Sequence, residues 1–290
     1  MSGLGPALLN SLEMGLLLFV IAVGLNIVFG VLNIINFAHG ALYMLGAYLA
    51  YTLMSLAGLS FWVALIIAPL GVAVIAVVID RLMLRFIYHR DVADSLLLTF
   101  AILLIIAESI RSIFGSNIQA VYPPDALQGT VRLLGGSYPV YSLFVIFSGL
   151  VILAGLWYLF NRTRVGKIMR AAALDRDMAE ALCLKTRMVV TGVVAFGSWL
   201  AGVGGVIAAP MRTIDPGMGD KIIIESFIVV VIGGLGSFPG SLLGALILGA
   251  IAVSYTHHTP PTNSARWLSE HNQPTGEKHT HRRTEEERAS

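Results

Sequence analysis

Few residues in this chain have the type and setting for chemistry, and those few fall in two places. In NIINFAHG, residues 33–40, the polar Asn33, Asn36 and His39 stand in an apolar run with no charged neighbour. Such groups either cap a broken helix, with Asn36 placed to cap one starting near Phe37, or line a path for a polar solute. The two roles are compatible, because the N-terminus of a capped helix also offers backbone N–H groups to a carboxylate. A second interruption, GGLGSFPG at 233–240, puts Gly233, Gly234, Gly236 and Pro239 inside an apolar stretch. Unwound backbone at membrane depth persists only where protein or water satisfies it, so paired interruptions point to a translocation path. The candidate path residues are Asn33, Asn36, His39, Gly233, Gly234 and Gly236. Gly236, Gly240 and Gly244 also recur at a spacing that lets helices approach closely, as do Ser198, Gly202 and Gly205.

Other polar residues suggest no catalysis. Glu108 and Arg111 are three apart and read as a surface pair on one helix face. Glu225, a lone acid opening an apolar segment, reads as interfacial, with a proton relay as the alternative. No His/Cys/Asp/Glu group has metal-ligand spacing, no nucleophile lies beside a base, and Cys183 is the only cysteine. No G-x-x-x-x-G-K-[ST] loop occurs, and GGLGSFPG lacks the soluble strand and helix of a dinucleotide site. The expectation is no catalytic residue, no metal site, no cofactor bound by this chain and no nucleic acid partner.

The elements that hold these residues are set by composition. Of 290 residues, 56% are hydrophobic and 12% charged, with mean hydropathy +0.80, which excludes an ordinary soluble domain. Apolar runs long enough to cross lipid as helices occupy 14–32, 40–57, 61–79, 95–114, 138–160, 189–209 and 222–253, the last too long for one straight span. Their block character argues for helices over barrel strands. Arg81, Arg85 and Arg90, with Arg162, Arg164, Lys167, Arg170, Arg176, Lys185 and Arg187, mark the 80–94 and 161–188 connections as cytoplasmic. The connections 115–137 and 210–221 hold only Arg132, Arg212 and Lys221, and no Lys or Arg precedes Arg81. The N-terminus is therefore expected outside, with the first span retained.

Residues 161–188 carry a helical pattern. At 100° per residue Ile168, Ala171, Ala172, Met178, Ala179, Leu182 and Cys183 share a face with Asp175, while Arg170, Asp177 and Glu180 lie opposite. A surface helix resting on lipid is one reading; the small residues on the apolar face suit packing against protein. The stretch GKIMRAAALDRDMAEALCL resembles the coupling segment of ABC importer permeases of the branched-chain amino acid subfamily, although Cys183 and Leu184 stand where that family usually has Gly and Ile. The resemblance extends to GLNIVFGVLNIINFAHGALYMLGAYLAY at 24–51, DRLMLR at 80–85 and ESFIVVVIGGLGSFPGSLLGALILG at 225–249, and covers most of 10–253.

The resemblance implies an all-α polytopic bundle in a bacterial inner membrane, with a permease domain at 1–253. It implies Arg170, Ala172, Asp175, Ala179, Glu180 and Leu182 as coupling residues, and ATP used by partner subunits. The implied partners are two cytoplasmic ATPase subunits, a second permease subunit and an external amino-acid-binding protein that meets the outer loops. A stand-alone ion-coupled carrier or facilitator is the alternative, for which only Glu108 and Glu225 offer membrane carboxylates. Residues 254–290 turn abruptly polar and hold five of the seven histidines, and are expected to be a non-native or disordered tail without function.

Overall fold

The computed structural model describes residues 4–87, 90–133, 136–174, 178 and 186–258. The chain divides into two units, 1–252 and 253–290. Among the described residues of the first, α1 (Leu4–Leu32) and α2 (Ala38–Tyr51, continued by a wide π turn, Thr52–Leu56) flank the NIINFAHG break. They are followed by α3 (Phe61–Leu82), α4 (Val92–Phe114), an antiparallel hairpin β1 (Thr130–Leu133) and β2 (Gly136–Pro139), α5 (Val140–Arg162) and α6 (Arg164–Leu174). The last elements are α7 (Thr186–Ala208), α8 (Met218–Gly233) and α9 (Phe238–His258). The hairpin, too short to show in the apolar pattern, is the one sheet among the described residues.

The helices divide into central and outer ones. α1 is apolar around its whole circumference, and a helix of that kind is buried on all sides. The most apolar stretches of α1 and α7 are 83% and 72% buried, against 28%, 22% and 17% for α3, α4 and α5. Thus α1 and α7 form the centre, and the outer faces of α3, α4 and α5 present side chains such as Ile66, Leu70, Leu97, Phe147 and Val151 to lipid or a partner.

Glycine permits the central crossings. A Cβ on Gly24 would stand 2.6 Å from the Gly197 carbonyl oxygen, and one on Gly197 2.7 Å from that of Gly24, so α1 and α7 touch through backbone. Gly46 of α2 meets Gly202 in the same way, and a Cβ on Gly205 would run into the Tyr43 carbonyl. The expected packing role of Gly202 and Gly205 is what these contacts describe. Gly202 also lies against Pro69 of α3.

The connections sort into two ends. Glu13 of α1 accepts a 2.7 Å hydrogen bond from Tyr138 of β2, and Tyr141 of α5 donates to the Ile207 carbonyl of α7 at 2.8 Å. Gln119 and Ile214 exchange backbone hydrogen bonds and join the 115–129 connection to the one after α7. These segments carry few basic residues and share one end of the bundle, the one the arginine rule assigns to the outside; the Arg-rich connections after α3 and α5 lie at the other. Burial and the bond to Glu13 hold the Tyr138 phenol above its ordinary range.

Candidate functional site: two helix breaks and the segment beneath them

The first break begins where α1 stops. Asn33 has φ +54°, the left-handed conformation in which Asn is among the few tolerated side chains, and its N–H closes the last turn on the Phe29 carbonyl at 2.8 Å. The chain then runs extended to α2. Phe37 stacks on Phe227 of α8 and meets Phe100 of α4 edge-on. Phe100 lies eight residues along α4, so the break sits about 12 Å inside the helix ends. Its backbone is partly satisfied by protein: the Thr99 hydroxyl donates to the Ile35 carbonyl at 3.3 Å, and the His39 N–H to that of Asn36 at 3.2 Å.

The expected cap is corrected by this geometry. α2 starts at Ala38 with Phe37 as its N-cap and no side-chain capping bond. Asn36 is buried with its Oδ1 unpartnered among the described residues, whereas Asn33 is exposed. His39 is fully buried and points to α1, where Nε2 donates to the Ile21 carbonyl at 2.9 Å. That bond places the proton on Nε2 and leaves Nδ1 as an acceptor without a partner among the described residues. Gly24 makes room for the ring, since a Cβ there would stand 3.0 Å from it.

The second break joins α8 to α9 through a bend of 120°. The long apolar region is thus two helices folded against each other. Gly233 and Gly240 approach so closely that a Cβ on either would collide with the other's carbonyl, and Gly244 meets the Val229 carbonyl in the same way. Gly234 and Gly236 take φ +92° and +79°, which an L side chain rarely adopts. Ser237 caps α9, its hydroxyl accepting from the Gly240 N–H at 3.2 Å.

A polar side chain at the start of the first interrupted region, which the sequence reading places at 26–48, connects the two breaks. Asn26, 2% exposed on α1, accepts the Gly236 N–H at 2.6 Å through Oδ1 and donates through Nδ2 to the Ser237 carbonyl at 2.8 Å and the Ser241 hydroxyl at 2.6 Å. One turn on, a Cβ on Gly30 would stand 3.4 Å from Gly236. The second break is therefore clasped by the last turns of the helix whose end forms the first. The signal in sequence was only a lone Asn in an apolar run; its partners lie more than 200 positions away.

α6 closes the arrangement from the inner end. Thr163 caps it by accepting the Gly166 N–H at 3.2 Å, and Gly166 lets it fold back against the Leu159 carbonyl of α5. Its buried edge is Gly166, Met169 and Ala172, while Ala171, expected on the apolar face, is exposed; neighbouring helices rather than average amphipathicity select the face. Arg170 is exposed, and with Met169, Ala173, Asn26, Gly30 and Gly236 it lines a cavity of about 70 Å³. The other expected coupling residues, Asp175, Ala179, Glu180 and Leu182, lie outside the described residues.

At the surface, Arg111 and Glu108 pair at 2.9 Å, both half exposed or more, as their spacing predicts. Glu225 lies two turns inside α8 and 3.8 Å from Arg212. Asp80, also unremarked in sequence, is buried at the inner end of α3 and accepts from the Thr191 hydroxyl of α7 at 2.9 Å.

Comparison with known proteins places this architecture. Residues 7–267 match the family model described as branched-chain amino acid transport system / permease component. The chain is 27% identical to the high-affinity branched-chain amino acid transport system permease protein BraD of Pseudomonas aeruginosa, over 83% of each chain. It is 26% identical to the corresponding LivH of Escherichia coli K12, over 83% of this chain and 82% of that one. With the probable branched-chain amino acid transport permease LivH of Methanocaldococcus jannaschii it shares 31% identity over 80% of this chain and 75% of the relative. No solved structure matches.

Proposed function

The chain belongs to the family of branched-chain amino acid transport permeases, and on that premise we propose that it moves branched-chain or related amino acids inward by alternating access, driven by ATP hydrolysed on separate subunits. It is a multi-pass inner-membrane permease and works within a transporter complex. The complex comprises this chain, a second permease subunit, two cytoplasmic ATPase subunits and an external binding protein that delivers the substrate. This chain binds no nucleotide and no cofactor.

The observation that carries the reading is the seat of α6. Its buried edge packs into the helix bundle while Arg170 stays exposed beside the clasped break. A push on the cytoplasmic segment then reaches Gly236 and Ser237 through rigid neighbours, and from them Asn26 and the end of α1. Asn33, Asn36, His39, Gly233, Gly234 and Gly236 border the path, where helices end at membrane depth and can change angle without breaking regular hydrogen bonds. Arg170, Ala172, Asp175, Ala179, Glu180 and Leu182 belong to the segment that receives the ATPase subunits.

Reconstitution in proteoliposomes tests this. Uptake is expected only with ATP, both ATPase subunits and the binding protein. Uptake driven by an ion gradient without them sinks the proposal in favour of a stand-alone carrier. Asp175→Arg is expected to reduce co-purification of the ATPase subunits while leaving the spans inserted; unchanged co-purification removes the coupling role from that segment.

A further inference from the structure

Away from the two breaks, a charged pair at the end opposite the Arg-rich connections is about a third exposed, and its two groups share no hydrogen bond. Arg212 follows α7 and has a side chain 31% exposed. Its Nη2 lies 3.0 Å from the Met14 thioether sulfur, a weak acceptor, and its Nη1 lies 3.8 Å from Glu225 Oε2, beyond hydrogen-bond reach. Among the described residues the guanidinium donates to no oxygen. Glu225, 34% exposed, keeps a buried Oε2 without a hydrogen bond. The hydroxyls of Tyr43 and Tyr48, both 1% exposed on α2, have no partner among the described residues either.

This pair stands open, as do Lys221–Asp215 at 3.6 Å and Arg90–Asp94 at 3.7 Å. The exposed Arg111–Glu108 pair closes to 2.9 Å, a charge-assisted hydrogen bond. Arg212 and Glu225 are better shielded, where closing would gain more, yet they stand apart with bonding capacity unused on both sides. A half-buried polar group left unsatisfied is costly unless something else binds it. An anion alone would meet Glu225, and a cation alone Arg212; a molecule carrying both charges on adjacent atoms suits both.

The geometry points to an outer subsite for a zwitterionic amino acid, in which Arg212 receives the α-carboxylate and Glu225 the α-ammonium. The subsite rests on the permease function proposed above and names where substrate is first received from outside. The Lys221–Asp215 pair, 3.6 Å apart with Lys221 exposed, forms its rim, and Asp215 also fixes the loop by accepting the Gly217 N–H at 2.9 Å.

Binding of radiolabelled leucine to the complete transporter, purified without its binding protein, tests the subsite. Unlabelled leucine is expected to compete, whereas isocaproate and isoamylamine, each carrying one of the two charges, are not. Arg212→Gln and Glu225→Gln are each expected to weaken leucine binding about tenfold to a hundredfold, the worth of one charge-assisted hydrogen bond. Partner subunits should co-purify in unchanged ratio. Arg212→Lys and Glu225→Asp, which keep charge and fold, carry the same prediction in milder form should a neutral variant fail to assemble. Exchanging the charges, Arg212→Glu with Glu225→Arg, restores a structural pair but inverts a bound zwitterion, so uptake should stay impaired. Wild-type leucine binding in the single variants, equal competition by the single-charge analogues, or uptake restored by the exchange overturns the subsite. A wild-type complex without ATP-driven amino acid uptake overturns the permease reading instead.

Discussion

At the scale of single residues, Asn26 concentrates most of the polar work. In lipid an inter-helix hydrogen bond contributes about 0.6 to 2 kcal/mol, so three on one side chain give a clasp of modest strength that can open in a working cycle. Asn26→Ala leaves the Gly236 N–H without its acceptor and Ser241 without a donor. It should lower the melting temperature and uncouple ATP hydrolysis from uptake while the complex still assembles; uptake at the wild-type rate would show the clasp to be dispensable. Asn26→Asp keeps an acceptor for Gly236 but turns an oxygen on the Ser237 carbonyl in a buried site, and should be more damaging than Asn26→Ala. Asn36 and His39 differ from Asn26 in kind. Each keeps an unused acceptor in a buried place, Oδ1 and Nδ1, the condition of a group whose partner arrives with water or substrate. The polar character of NIINFAHG was legible in sequence. The separation of its members, with Asn33 exposed, Asn36 buried and His39 turned onto α1, was not, because it depends on the single left-handed residue at 33 and on a gap at Gly24 made by another element.

At the scale of elements, glycine is read better by what it faces than by its spacing. Gly205 and Gly192 both lie on α7, but a Cβ on Gly205 meets the backbone of α2, whereas one on Gly192 meets nothing within 4 Å. Gly205→Ala cannot be relieved by a side-chain rotation and should cost about 1–3 kcal/mol, seen as a melting temperature lower by about 2–12 °C. Gly192→Ala should leave stability unchanged or raise it by about 0.5–1 kcal/mol, since Ala has less conformational freedom to lose in a helix. Thermal unfolding of the two proteins in the same detergent compares them directly; equal shifts would remove the packing explanation. Sequence located the long helices well, because apolar runs of membrane length permit little else, and located both breaks. It misjudged the buried edge of α6, where Gly166, Met169 and Ala172 face inward, since amphipathicity weighs residues without knowing which neighbours surround them.

At the scale of the whole molecule, the arginine distribution and the two sets of end contacts agree on one orientation. In a background with Cys183→Ser, Tyr122→Cys, at a position where the tyrosine is 79% exposed, should react with a membrane-impermeant maleimide from outside in intact cells, and Arg90→Cys only after permeabilisation. The opposite pattern would invert the topology and with it the outer position of Arg212. The centre of the bundle could not be read in the chain, because α1, α7 and the α8–α9 fold meet only through contacts between distant positions. That separation has a consequence for how the protein is made. α1 leaves the ribosome first, yet Asn26 finds its partners 211 and 215 positions later. At cellular synthesis speeds the interval is about 10 to 40 s. Through it the amide of the nascent first helix stays unanswered, so a ribosome that stalls before α9 leaves behind a chain whose central helix carries a polar group with no clasp to hold it.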